Sequence, residues 1–385
     1  MKTLATISAL LSLLLAGGGP LLAGQGGARV EPVSYYGEND QVDLYQAGIL
    51  RRFAESSVAL FSDRALTRDE ASGTYRLNNI SLREKLNLRP GQPFGEQTVG
   101  AYCSGVLVAP DLVLTAGHCF QPDERGGPCG RVRFAFGYAV TREGENPSSF
   151  PAANVYSCRE IVAQKVQDES HNFTCRGGRC SEAEPVGNGA DYALVRLDRP
   201  AAGRHPLAIS RAPVAQGVEV GVIGYPSGLP VKVQEKGAAV RSVSRDGYFV
   251  TNLDTFRGSS GSPVFNMRTL KIEGIIVRGG ADYVYGSTSA PVNDPSRPYM
   301  HAPGEANYYP QDGGRGEDVS FLDEVQALIP ASEAEHVLDH MLNAGQNQPA
   351  QRPVPAVYTP GDGGGRVQPA IYTPPDPGEP VPTWI

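Results

Sequence analysis

The stretch from Tyr102 to Cys119 constrains this chain more than any other part of it. It reads Tyr-Cys-Ser-Gly-Val-Leu-Val-Ala-Pro-Asp-Leu-Val-Leu-Thr-Ala-Gly-His-Cys, with two apolar runs parted only by Ala109-Pro110-Asp111. Each run is too short for a helix, and a Pro-Asp pair is turn chemistry, so the stretch predicts two antiparallel strands. A bridge between Cys103 and Cys119 would tie the two strands together, an effect worth about 3 kcal/mol in the chain-entropy model. The same grammar recurs at Ser57–Phe61 and over 131–139, 157–164, 192–197, 218–224, 231–243, 248–251, 263–265 and 272–277. Short strands with frequent turn signals predict an all-β chain. Between them, 63–98 is polar and charged and reads as an insertion. Residues 165–188 read as a loop carrying two cysteines.

Three positions carry chemistry. His118 ends the second strand of the opening hairpin, where a rigid mount suits a general base. Asp191 stands at the mouth of the apolar run Tyr192–Leu197, where a carboxylate can accept from an imidazole Nδ1–H and fix its tautomer. Asp198 is the nearby rival, but Asp-Arg-Pro after a strand reads as a solvated turn. Ser260 lies in Gly258-Ser259-Ser260-Gly261-Ser262-Pro263, a turn that can expose a hydroxyl while backbone N–H groups converge on one point. Taken alone, such a Gly/Ser cluster is more often an ordinary turn. The chain order His, Asp, Ser separates this set from subtilisins and α/β-hydrolases.

Thr-Ala-Gly-His-Cys at 115–119, Asp-Tyr-Ala-Leu-Val at 191–195 and Gly-Ser-Ser-Gly-Ser-Pro-Val at 258–264 together resemble the catalytic signatures of chymotrypsin-fold serine peptidases. Ser-Gly-Ser-Pro in place of Ser-Gly-Gly-Pro makes the chain most similar to their bacterial, glutamyl-endopeptidase-like branch. The resemblance runs from about Ile49 to about Leu328. It implies two six-stranded antiparallel β-barrels of the chymotrypsin type, followed by a C-terminal helix, with the site in the cleft between the barrels. It also implies a Ser260–His118–Asp191 triad acting through an acyl-enzyme, with the amides of Gly258 and Ser260 as oxyanion hole, and it supports the Cys103–Cys119 pair.

Two departures limit what carries over. Ser259 stands where the animal enzymes have an aspartate that receives a new N-terminus, which removes that activation switch from this position. In the pocket-lining strand after the nucleophile, the histidine of glutamyl endopeptidases is replaced by Val277 or Arg278, and Gly279 follows. Asp254, six residues before Ser260 and followed by Thr255, occupies the position of the trypsin pocket carboxylate. It implies a preference for basic P1 residues through charge-assisted hydrogen bonds. An acidic P1 preference, with Arg278 selecting it, is the alternative. A catalytically silent binding module on the same fold is a second function class.

Composition fits a secreted peptidase acting on proteins or peptides. Lys2, the apolar stretch Leu4–Ala16 and the small residues leading to Ala23 read as a signal peptide over 1–23, too short for a membrane span. The destination is extracellular or periplasmic. All six cysteines lie within 103–180, an even set that suits three disulfides. Cys175 with Cys180 would leave Cys129 with Cys158; a zinc site from His171, Cys175 and Cys180 is the weaker alternative. A net charge of −7 with no basic run argues against nucleic acid. No motif asks for a metal or other cofactor.

The expected organisation is a signal peptide (1–23), a leader or strap (24–46) and a peptidase domain (47–330), with a first barrel over about 47–210 and a second over about 211–330. A helix (331–343) follows. Ser332 caps it, with Glu335 three residues on, and Ala334, Val337, Leu338, Met341 and Leu342 form a face expected to pack on the barrel. His336 and His340 read as a solvated pair. The Pro/Gly-rich tail 344–385 repeats Tyr-Thr-Pro and contains Trp384; it reads as disordered, its binding partner unknown.

Overall fold

The computed structural model describes residues 35–120, 128–177, 179–185, 187–285 and 303–346. The signal peptide, the leader before Tyr35 and the tail from 347 onward lie outside the described residues. Six strands build the first barrel: β1 (Ser57–Ser62), β2 (Cys103–Ala109), β3 (Leu112–Thr115), β4 (Val132–Phe136), β5 (Val155–Gln167) and β6 (Asp191–Leu197). They pair in the order β5-β6-β3-β2-β1-β4, and β4 pairs back onto β5 to close the ring. The Tyr102–Cys119 stretch forms the expected antiparallel hairpin β2–β3.

The second set of strands is β7 (Val220–Gly224), β8 (Val240–Val243), β9 (Tyr248–Thr251), β10 (Pro263–Asn266), β11 (Ile272–Arg278) and β12 (Glu317–Phe321). Their order is β7-β10-β11-β12-β9-β8. An isolated antiparallel bridge, Glu219 to Ala239, joins the entry of β7 to that of β8. Lys232–Gln234 and Val42–Asp43 add two edge strands outside β7. The strap is therefore part of the second sheet, and Tyr35–Tyr36 also pairs in parallel with Tyr308–Tyr309. No helix among the described residues is long and apolar enough to cross a membrane.

One hydrophobic core runs through both halves. Val58, Val106, Leu114, Phe134 and Leu194 of the first barrel join Ile223, Phe265, Ile272 and Ile275 of the second in a single cluster. Full burial of side chains this size contributes about 1.5–3 kcal/mol each. Tyr225 stacks on Tyr138 across the seam, their rings 6.1 Å apart. This shared core fixes the strand ends that carry His118, Asp191 and Ser260.

The insertion 63–98 holds local structure: Leu66–Asp69 and Thr74–Leu77 form a small sheet with Ser149–Pro151, and Ser81 caps the short helix Leu82–Leu86. Two readings are corrected. The 165–188 loop is a hairpin, Asn172–Arg176 against Arg179–Glu182. In the helix Glu333–Gln346, Val337 and Met341 are 45% and 50% exposed. Ala334, Leu338 and Leu342 of the expected face are half-buried, and charge adds to the docking: Glu335 is buried on Arg211 at 2.6 Å, and Asp339 meets Lys271 at 2.5 Å. Ser332 caps it as expected, its hydroxyl accepting from Glu335 N–H at 3.1 Å.

Candidate active site

The turn before β10 owes its shape to two glycines. Gly258 has φ +102° and Gly261 φ +86°, backbone conformations that side chains resist. A Cβ at Gly258 would lie 2.7 Å from the Tyr225 carbonyl. One at Gly261 would run into the Ser104 carbonyl and the Thr115 hydroxyl. The turn is laced by Ser259 N–H to Phe256 O at 2.7 Å, Ser262 N–H to Ser259 O at 2.8 Å and Gly261 N–H to Ile276 O at 2.7 Å. Arg257 N–H donates to the Asp282 carboxylate. The amides of Gly258 and Ser260, by contrast, donate to no acceptor among the described residues. Alternate amides are thus spent on the turn, and two are left over.

Ser104, on β2, holds the turn from below. Its N–H donates to Ser260 O at 2.8 Å, its Oγ donates to Gly258 O at 2.7 Å, and the same Oγ accepts from Tyr225 N–H at 3.0 Å. Sequence reasoning missed this residue: a serine in a buried strand looks like any other, and its partners lie more than a hundred positions away.

His118 sits in the short turn Gly117–Phe120 that follows β3. Gly117 threads between the carbonyls of Lys165 and Tyr192, where a side chain would not fit. Gln164 Nε2 donates to Gly117 O at 2.8 Å and Phe120 O at 3.2 Å, pinning both ends of the turn. Asp191 opens β6 and receives His118 twice: the backbone N–H at 3.0 Å and ring Nδ1 at 2.7 Å. Asp191 is in turn fixed by its own N–H, which donates to Ser320 Oγ at 3.1 Å.

Burial by itself would lower the His118 pKa, but the Asp191 carboxylate and its hydrogen bond outweigh it and hold the imidazole above the ordinary 6.5. Burial would likewise raise Asp191, and the facing His118 outweighs that and keeps the carboxyl below its ordinary value. The imidazole edge stays partly open, with 28% of the side chain exposed against 3% for Asp191.

Ser260 comes to the same place. The sulfur of Cys119, the residue after His118, lies 3.9 Å from Ser260 O, and Cys119 is bridged to Cys103 beside Ser104. The Ser260 hydroxyl makes no hydrogen bond to a described residue. The other disulfides are Cys129–Cys158 and Cys175–Cys180, so the zinc alternative with His171 loses both thiolates. A cleft of about 800 Å³, lined by Gln167, Gly189, Ala190 and Tyr248, opens beside the approach to Asp191 and does not include Ser260.

The residues expected to set specificity are turned inward. Asp254 is fully buried, and its carboxylate accepts from Tyr36 N–H at 2.8 Å and Asp40 N–H at 2.9 Å. It is no open pocket base, because the strap uses both oxygens. Thr255 donates to the buried Glu317 at 2.7 Å. Val277 is 4% exposed and belongs to the core. Arg278 is 5% exposed and ion-paired with Asp318, and Gly279 is buried.

A family model described as a trypsin-like peptidase domain matches residues 103–275. Glutamyl endopeptidase of Bacillus licheniformis is 28% identical over 163 residues, which cover 42% of this chain and 45% of that protein. The chain thus spans less than half the length of that relative. Among solved structures, the active form of the Rv3671c protease from M. tuberculosis matches at 14% identity and TM-score 0.38, covering 84% of this chain and 96% of that one. A Glu endopeptidase in complex with MPD matches at 14% identity and TM-score 0.37, covering 80% and 99%. The stretch that holds His118, Asp191 and Ser260 thus matches a trypsin-like peptidase domain, and six strands of the chain close into a β-barrel.

Proposed function

We propose that this protein is a secreted serine endopeptidase that hydrolyses peptide bonds through an acyl-enzyme. The observation that carries the reading is the doubly bonded Asp191–His118 pair beside a turn with two unspent amides. Ser260 Oγ attacks the scissile carbonyl carbon as His118 Nε2 takes its proton. Asp191 holds the tautomer and stabilises the imidazolium. The amides of Gly258 and Ser260 receive the oxyanion of the tetrahedral intermediate. On collapse, His118 returns the proton to the leaving amine, and water repeats the sequence to release the acid.

Secretion is supported by the three disulfides and by the apolar N-terminal stretch. A basic P1 preference through Asp254 loses its support, because that carboxylate is saturated by the strap. Selection of acidic residues, which the relative's name suggests, is not carried by Arg278, whose guanidinium is saturated as well. The purified mature protein should cleave a mixture of internally quenched peptides, and Ser260→Ala should lose roughly 10⁴–10⁶-fold in kcat/KM. Equal cleavage by wild type and Ser260→Ala would refute the reading.

A further inference from the structure

Arg278 ends β11, the strand that also holds the nucleophile turn. Two residues earlier, Ile276 exchanges hydrogen bonds with that turn, accepting from Gly261 N–H at 2.7 Å and donating to Ser262 O at 3.0 Å. The Arg278 guanidinium leaves the second barrel and reaches the first. Nη2 donates to Gly189 O at 2.7 Å and Nη1 to Gln167 O at 3.3 Å. These carbonyls belong to the closed end of β5 and β6, where Gln167 N–H donates to Ala190 O at 3.0 Å and Gly189 N–H to Gln167 O at 3.1 Å. Asp191 follows Ala190, two residues after Gly189.

The third arm, Nε, donates to Asp318 Oδ2 at 3.1 Å, with side-chain exposures of 4% for Arg278 and 1% for Asp318. Arg315 meets the same oxygen at 2.8 Å, and the ring of Tyr248 lies 5.5 Å from the guanidinium carbon. Asp318 sits on β12 two residues before Ser320, whose hydroxyl accepts the Asp191 N–H. A planar fork that satisfies a carboxylate and two carbonyls at once is geometry available to arginine and not to lysine.

We propose that Arg278 is a positioning residue that holds the Asp191 loop in register with the Ser260 turn across the seam between the barrels. This rests on the peptidase reading above. One strand touches the nucleophile turn at residue 276 and the acid's loop at residue 278, so a shift of either barrel moves both together. The guanidinium does not touch substrate; it acts through Asp191. Its charge has a second consequence. The groups acting on the His118 imidazole are Asp191 and Asp168, which raise its pKa, and Arg278, which opposes them. Removing the cation should therefore leave His118 more basic.

The test compares wild type, Arg278→Gln and Arg278→Lys, with Ser260→Ala as the inactive control. Rates are normalised to sites titrated with a fluorophosphonate, and folding is followed by circular dichroism. Arg278→Gln should lose about 10- to 100-fold in kcat with little change in KM, and the acid limb of its kcat/KM profile should move to higher pH. Arg278→Lys keeps the charge and loses the fork. It should lose kcat by a similar factor while its acid limb stays at the wild-type pH. If Arg278→Gln does not fold, the lysine variant decides alone. Wild-type kcat per titrated site in the lysine variant would overturn the proposal, as would a loss confined to KM. Absence of wild-type cleavage would instead refute the peptidase reading itself, a distinguishable outcome.

Discussion

The amide of Tyr36 lies 2.8 Å from Asp254 Oδ1, so a residue of the N-terminal strap is seated on a buried carboxylate six positions before Ser260. The Tyr36 hydroxyl also donates to Glu317 at 3.0 Å, tying one strap residue to two buried acids. Burial raises the Asp254 pKa to about 7 against the opposing pull of the Tyr36 and Asp40 amides. Between its ordinary 3.8 and 7, the unfolded chain has released a proton that the folded chain keeps. Stability contributed by this residue therefore falls as pH rises through that window, by up to about 4 kcal/mol. Asp254→Asn cannot titrate, so its stability should change less between pH 4.5 and pH 7 than the wild type's. Urea midpoints at the two pH values measure this, and parallel slopes in both proteins would rule it out. The same substitution should leave the ranking of P1 residues unchanged in a peptide library.

His118 sets the pH range of activity. Its imidazole is held above 6.5 by Asp191, so protons compete with catalysis at a higher pH than for a free histidine. The kcat/KM profile should show an acid limb above pH 6.5. Asp191→Asn removes the charge that raises the imidazole, which should shift that limb downward while kcat falls by about 10⁴-fold. A wild-type rate constant down to pH 4 is incompatible with a neutral His118 acting as base.

Lys232 tests how the strap is held. Its side chain is 1% exposed and lies 2.8 Å from Asp43, with further bonds to Gln97 and the Pro230 carbonyl. Lys232→Met leaves Asp43 without its cation and should cost about 3–5 kcal/mol. Adding Asp43→Leu should recover most of that loss, which a thermal or urea melt of the two variants would reveal. A single variant as stable as wild type would mean the pair does not anchor the strap.

Much of this was legible in the sequence for physical reasons. The β2–β3 hairpin follows from local strand and turn chemistry, and the Cys103–Cys119 bridge fits the resemblance; for the four cysteines whose pairing the sequence leaves open, the structure forms 129–158 and 175–180. His118 and Asp191 were found because each sits where an apolar strand ends, and the structure brings them to 2.7 Å. What was not legible depends on contacts between distant segments. Asp254 looked like a pocket base because nothing local shows that the strap, more than two hundred residues away, occupies its oxygens. Ser104 carries no local signal, and Arg278 reads as a pocket residue, for the same reason: each reaches partners in the opposite barrel. The apolar face of helix 333–346 is half-buried at Ala334, Leu338 and Leu342 but open at Val337 and Met341, and periodicity of apolar residues does not register the Glu335 and Asp339 ion pairs that also hold it.

The central claim is that Ser260 is a nucleophile activated by His118. Incubating the purified mature protein with a fluorophosphonate and mapping the adduct by peptide mass spectrometry tests it most directly. Stoichiometric phosphonylation of Ser260 is expected, lost in Ser260→Ala and strongly slowed in His118→Ala. An unlabelled Ser260 in the folded wild type would contradict the claim and leave the fold as a silent binding module.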